Sequence, residues 1–207
     1  MAANRPPKDI TPAAFFAEWL PAEFATAFGS AGSSAAGGGA VDLTIRVALE
    51  GEAGGKWDLE LRGGKLGVVP GGGSAEPEVT VLQTVADWKA IAVGESGAVD
   101  LAPPQASPMD ILFLDPSSRQ VLKTVKGTIR FEVTGYNGRT WSLTVKLGPQ
   151  PVATPASATI SVDAESYAGM LARTLSPPQA FFTGKVKLSG DVGLAMQLGT
   201  AMLPRFS

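Results

Sequence analysis

The chain has 207 residues, 17 Lys plus Arg against 19 Asp plus Glu, a net charge of −2, and neither Cys nor His. Those counts exclude disulfides, thiolate nucleophiles, zinc sites built on Cys or His, and every imidazole general base. A near-neutral charge without a basic block argues against a nucleic-acid partner, while 44% hydrophobic residues with 25 Gly and 16 Pro describe a chain that folds, as one large domain or two small ones.

In chain order, Phe15, Phe16, Trp19, Leu20, Phe24 and Phe28 recur at three- and four-residue steps behind Thr11-Pro12. This is a helix with a cap and a proline at its first position, and Pro21 predicts a kink or a restart. It holds five of the 15 aromatic residues, which makes it core cover for the first sheet. Residues 29–40 are almost all Gly, Ala and Ser, the composition of a connector.

From Val41 to Glu50 apolar and polar residues alternate, and they do so again from Trp57 to Arg62, which predicts a hairpin closed near Gly54-Gly55. Short strands follow near Leu66–Val69 and Val79–Leu82, then a helix capped by Thr84 that carries Val85, Trp88, Ile91 and Ala92. Between residues 96 and 116 the apolar run Ile111–Leu114 fits either a helical turn or a strand, and Pro116 opens a helix ending near Val125.

The chain repeats itself. Shifted by 84 residues, Thr44-Ile45-Arg46 falls on Thr128-Ile129-Arg130, Gly51 on Gly135, Gly54 on Gly138, Trp57 on Trp141 and Leu59 on Leu143, which is 7 identities in 19 positions. The second copy is a hairpin about Asn137-Gly138. An offset of 79 then aligns Thr80-Val81 with Thr159-Ile160, and Trp88 and Ile91 with Tyr167 and Met170. Pro103-Pro104-Gln105-Ala106 returns as Pro177-Pro178-Gln179-Ala180. Two α+β units are expected, at 8–106 and 107–207, arranged about a pseudo-twofold axis, each with a mostly antiparallel sheet covered by helices on one face.

The closing segment, Ala180-Phe181-Phe182-Thr183-Gly184-Lys185-Val186-Lys187-Leu188, then Gly190-Asp191 and Gly193-Leu194-Ala195-Met196-Gln197-Leu198, resembles the sterol carrier protein 2 family. The resemblance extends back through the strand Ala158–Val162 and the helix starting at Asp163. In the first unit no counterpart of Ala-Phe-Phe-x-Gly-Lys follows Ala106, so that unit is degenerate at its closing end. The resemblance implies a five-stranded sheet covered by helices, with an apolar tunnel between the layers that takes acyl chains, phospholipids or sterols.

On that basis the expected tunnel residues are Phe131, Trp141, Met170, Leu171, Phe181, Phe182, Leu188, Val192, Leu194, Met196, Leu198 and Met202. One of Phe181 and Phe182 is expected to be wet and one dry. The helix at 191–203 carries apolar residues on more than one stripe, so it is buried all round or faces a ligand. Arg46 and Arg130 read as solvated charges on the polar sheet face, and Gly71-Gly72-Gly73 as a turn without the Lys-Ser of a phosphate loop.

The expectation is thus a carrier of a hydrophobic small molecule or lipid, with no cofactor and no metal. No apolar run reaches the roughly 18 residues of a membrane span and no signal-peptide pattern follows the start, so cytoplasmic residence without stable membrane insertion is expected. Oligomeric state stays open. The alternatives are an enzyme acting on a hydrophobic metabolite with Asp110 or Asp115 as acid or base, or an interaction module whose tunnel is filled by its own side chains.

Overall fold

The computed structural model describes residues 5–31, 42–73, 76–95, 100–101 and 124–202. The chain opens as a continuous helical run in three parts: α1 (Pro12–Ala14), a π-helical turn (Phe15–Trp19) and α2 (Leu20–Ala31). Thr11 caps it, its hydroxyl accepting from the Ala14 N–H at 3.2 Å. Pro21 has no N–H for the carbonyl four residues back, and just before it the ladder widens, with the Leu20 N–H reaching the Phe15 carbonyl. The expected kink is therefore absorbed as a wide turn, and the helix continues without a restart.

Among the described residues, eight strands form one sheet: β1 (Leu43–Glu50), β2 (Gly55–Arg62), β3 (Lys65–Pro70), β4 (Val79–Thr84), β5 (Gly127–Tyr136), β6 (Arg139–Leu147), β7 (Ala158–Asp163) and β8 (Val186–Gly190). Their order is β3-β2-β1-β4-β6-β5-β7-β8. β1 pairs antiparallel with β2 and parallel with β4, and β5 pairs antiparallel with β6 and parallel with β7. The triplet β2-β1-β4 thus recurs as β6-β5-β7 in the same order and the same direction. A twofold axis would reverse the order, so the expected pseudo-twofold arrangement is corrected to a shift along a single sheet.

The shift accounts for the degenerate closing end of the first half. β4 has β6 at its outer edge, where β7 has β8, and β6 has β4 where β2 has β3. Each half supplies the neighbour strand that the other lacks, and two sheet edges that would need separate protection become one internal antiparallel pair.

The cross-strand register places all the alternating apolar residues on one face, which the helices cover. Helix α3 (Val85–Ala92) follows β4 and α4 (Ala164–Leu171) follows β7, and in both the last strand residue is the cap: Thr84 accepts from the Asp87 N–H, Asp163 from the Ser166 N–H. The offset of 79 residues found in the sequence maps one cap onto the other. Helices α5 (Pro177–Phe182) and α6 (Val192–Met202) complete the layer.

The largest core cluster joins Phe15, Phe16, Leu20 and Phe24 to β1, β2 and β4, and continues through Ile129, Leu147 and Ala158 to Leu194 and Ala195 of α6. Phe16 stacks on Trp57 with ring centroids 4.6 Å apart, and Phe15 meets Trp88 edge-on at 5.2 Å. A second cluster gathers Ala90, Leu101, Val133, Tyr136, Trp141 and Val162. Across the seam between the halves, Asp87 of α3 accepts from Arg139 and from the Ser142 N–H, while the Trp141 indole donates to the Asp87 carbonyl at 2.8 Å.

On the opposite face, Arg46 does not stand in solvent as expected. It grips both oxygens of Asp58 at 2.7 and 2.8 Å, and the Asp58 side chain is fully buried. Arg130 instead pairs with Glu132 of its own strand at 2.7 Å, because the position corresponding to Asp58 is Ser142.

Candidate functional site

Three parallel rows of side chains cross β6, β5 and β7 on the covered face, two of them continuing on β8. The row Trp141, Val133, Val162 is buried under the second cluster, and Ile129 and Ala158 are buried in the first, beneath α6. Between them runs Leu143, Phe131, Ile160, Leu188, opposed residue to residue across four strands, and all four are half-buried. α4 brings Tyr167 and Met170 down on one side of this middle row, and α6 brings Leu194 and Ala195 down on the other. The result is an apolar stripe between two helices, about 14 Å long from three inter-strand steps of about 4.8 Å.

The corresponding positions of the first half are closed. Val47 and Val81, which the repeat aligns with Phe131 and Ile160, are 8% and 9% exposed and lie in the cluster with Phe15, Phe16 and Trp88. There the N-terminal aromatic residues occupy the layer that stays open in the second half.

At the end of the stripe stands an exposed apolar rim. Phe181 and Phe182 of α5 are 42% and 85% exposed, and Val192 and Met196 of α6 are 42% and 58% exposed. Both phenylalanines are thus wet, against the expected division into one wet and one dry, because α5 is anchored through Ala180 alone, its fully buried residue. Nor is α6 buried all round: Leu194 and Ala195 point into the core while Val192 and Met196 face outward.

Of the other expected tunnel residues, Phe131 and Leu188 lie in the stripe, Met170 and Leu171 are half-buried on α4, and Trp141 is buried with its indole committed to Asp87. Leu198 and Met202 lie on α6, but their side chains are outside the described residues, as are Asp110 and Asp115 altogether. Sequence reasoning missed Leu143 and Ile160, which complete the row. Their alternation was visible, but the register that lines them up with Phe131 and Leu188 was not.

Two phenols border the second cluster. The Tyr167 hydroxyl donates to the Leu101 carbonyl at 2.7 Å, and burial pushes its pKa up to about 12. Tyr136, 1% exposed, has a buried hydroxyl without a hydrogen-bond partner among the described residues. Burial, with the Glu95 charge behind it, raises its pKa, so both phenols stay neutral. Among the described residues there is no group of three metal-ligating side chains, and no helix is long and apolar enough to cross a membrane. What the stripe offers is apolar contact.

Residues 109–202 match the SCP-2 sterol transfer family. The resemblance read from the closing segment therefore holds for the second half of the chain, which is where the open stripe lies. Among curated proteins, the chain is similar to hydroxysteroid dehydrogenase-like protein 2 of Xenopus laevis, 28% identical over 131 residues, and of Danio rerio, 33% identical over 92 residues. The shared stretches cover 59% and 41% of this chain but 31% and 22% of those proteins, so it spans less than a third of their length. Among solved structures, the sterol carrier protein domain 2 of Helicoverpa armigera is 23% identical with a TM-score of 0.32, over 49% of this chain and 92% of that one.

Proposed function

We propose that the SCP2 segment binds a lipid-like apolar ligand along the Leu143, Phe131, Ile160, Leu188 stripe, with Phe181, Phe182, Val192 and Met196 forming the mouth through which it enters. The observation that carries this reading is the half-buried row that runs between more deeply buried ones. An apolar row left open to water across four strands costs hydrophobic burial that an acyl chain or sterol restores, at about 0.8 kcal/mol for each ligand methylene buried. The match to a sterol transfer family supports the same ligand class.

On this reading the chain divides near residue 106 into two units, of which the second alone binds. The first is a filled counterpart that braces the sheet. Met170 and Met196 flank the stripe with deformable side chains that accept more than one ligand shape.

The test is uptake of a fluorescent fatty acid, beside native mass spectrometry of protein freshly extracted with organic solvent. The parent chain is expected to take up one molecule. Ile160→Trp, which fills the stripe from its floor, is expected to lose uptake while keeping a cooperative unfolding transition. Unchanged uptake in a folded Ile160→Trp protein would refute the assignment.

A further inference from the structure

The uncovered face of the sheet carries a second feature, unrelated to the apolar stripe. At the seam between the halves a groove of about 550 Å³ opens over β1, β4 and β6, walled by Pro77, Pro149, Pro151 and Val152. Its floor is one row of the sheet: Arg46 on β1, opposite Thr80 on β4, opposite Lys146 on β6. Lys146 is 6% exposed and Thr80 7%.

Arg46 is committed to Asp58, but Lys146 has no ion pair or hydrogen bond among the described residues. The repeat shows what a satisfied cation at this position looks like. Arg62, which the 84-residue offset aligns with Lys146, donates to the Thr44 hydroxyl at 2.7 Å. The hydroxyl corresponding to Thr44 is that of Thr128, and it is taken by the Ala153 N–H at 2.9 Å, from the chain just beyond the groove wall. Lys146 is left with its stem buried and its ammonium turned to the groove. An ammonium without a counter-charge at the floor of a groove attracts an anion more strongly than one on an open surface, where water and salt screen it.

We propose that this seam groove is a binding site for a small organic anion. Its acidic oxygens meet Lys146 and the Thr80 hydroxyl, and its short apolar body lies against Pro77, Pro149, Pro151 and Val152. The groove has the volume of an ordinary small-molecule site, with few polar groups in an apolar wall. Lys146 at its floor, with Lys56 also lining it, selects for negative charge, and Glu76 on the rim disfavours ligands with acidic groups at both ends. The site needs both halves of the chain, since β1 and β4 come from one and β6 from the other. It is independent of the lipid reading, being on the other side of the sheet.

The test is a titration of the full-length, nitrogen-15-labelled protein with butyl phosphate, butyrate and inorganic phosphate, followed by amide shifts. Saturable shifts are expected at residues of β4 and β6 and of the segment 150–152, with at least one organic anion binding more tightly than inorganic phosphate. The tighter of the two organic anions names the head group. Lys146→Met keeps the buried stem and removes the charge. It is expected to weaken binding by about tenfold, the loss of one charge-assisted hydrogen bond. Thr80→Val is expected to weaken binding by less, since its hydroxyl carries no charge. The proposal is overturned by an absence of saturable shifts at these residues, by equal affinity in the parent and Lys146→Met proteins, or by inorganic phosphate binding as tightly as butyl phosphate.

Discussion

Tyr136 and Asp58 are buried polar groups with opposite accounts. The Tyr136 hydroxyl lies in the second cluster with no partner among the described residues, and a buried unpaired hydroxyl costs about 1–3 kcal/mol. Tyr136→Phe removes the oxygen and keeps the ring beneath Arg139, whose guanidinium sits 5.3 Å from its centroid. The variant is expected to gain about 1 kcal/mol in urea unfolding, and a loss of stability would show that the hydroxyl is satisfied. Asp58 has what Tyr136 lacks. Burial pushes its pKa up, but hydrogen bonds from Arg46 and the Gly73 N–H together with the Arg46 charge outweigh this, and it titrates below its usual range. Its contribution to stability is therefore present in full above the unfolded carboxylate pKa of about 4 and is lost as pH falls through the lower folded value. Asp58→Asn, which takes the counter-charge from Arg46, is expected to cost about 3 kcal/mol at neutral pH and to flatten the fall of the urea midpoint below about pH 4. An unchanged acid limb in the variant would place that titration elsewhere.

Helix α6 depends on a glycine at the start of β5. At Gly127, where φ is +147°, an added Cβ would lie 2.6 Å from Leu194 Cδ2. The residue that anchors α6 beside the apolar stripe thus rests on bare backbone. Gly127→Ala is expected to lose about 1–3 kcal/mol through overpacking and to reduce fatty-acid uptake by letting α6 rise, whereas an equally destabilised variant in α2 would leave uptake intact. At this scale the strands were legible in the sequence, because alternation such as Val41 to Leu49 has one reading on a half-buried sheet. The caps Thr84 and Asp163 were legible for the same reason, each a short polar residue between a strand and an apolar helix face. The exposure of α5 and α6 was not. Phe181 and Phe182 are as apolar as any core residue, and nothing local tells an aromatic pair on a core from one on a rim. The open stripe was equally hidden, since it depends on four strands lining up Leu143, Phe131, Ile160 and Leu188, and register is a property of the pair and not of either strand.

At the scale of the molecule, the seam between β4 and β6 decides how the chain behaves. The repeat announced two units, but it is silent on how they join, because a twofold and a shift bury the same apolar faces. What selects the shift is edge chemistry. Among the described residues the first half has no closing strand after β4, and the second begins with a hairpin whose β6 has no outer neighbour from its own half, so each bare edge is the other's partner. Four register pairs, Val79 with Leu147 through Leu82 with Thr144, stitch them together, and the core cluster runs across the junction. Unfolding is accordingly expected to be a single event, with the fluorescence of Trp57 and Trp141, one on each side, lost at the same urea concentration as far-UV circular dichroism. Two resolved transitions would mean that the seam does not couple the halves. Residues 107–207 made alone keep β5, β7 and β8 but expose the whole outer edge of β6, whose side chains Val145 and Leu147 lose their partners Val81 and Val79. An unpaired, apolar antiparallel edge is a template for another chain, so the fragment is expected to elute as a dimer or larger species in size-exclusion chromatography. Glu placed at Val145 is expected to return it toward monomer by making the edge unfit to pair. A fragment that is monomeric and folded without that substitution would show that the second half closes its own sheet, and that the first half is dispensable for the fold.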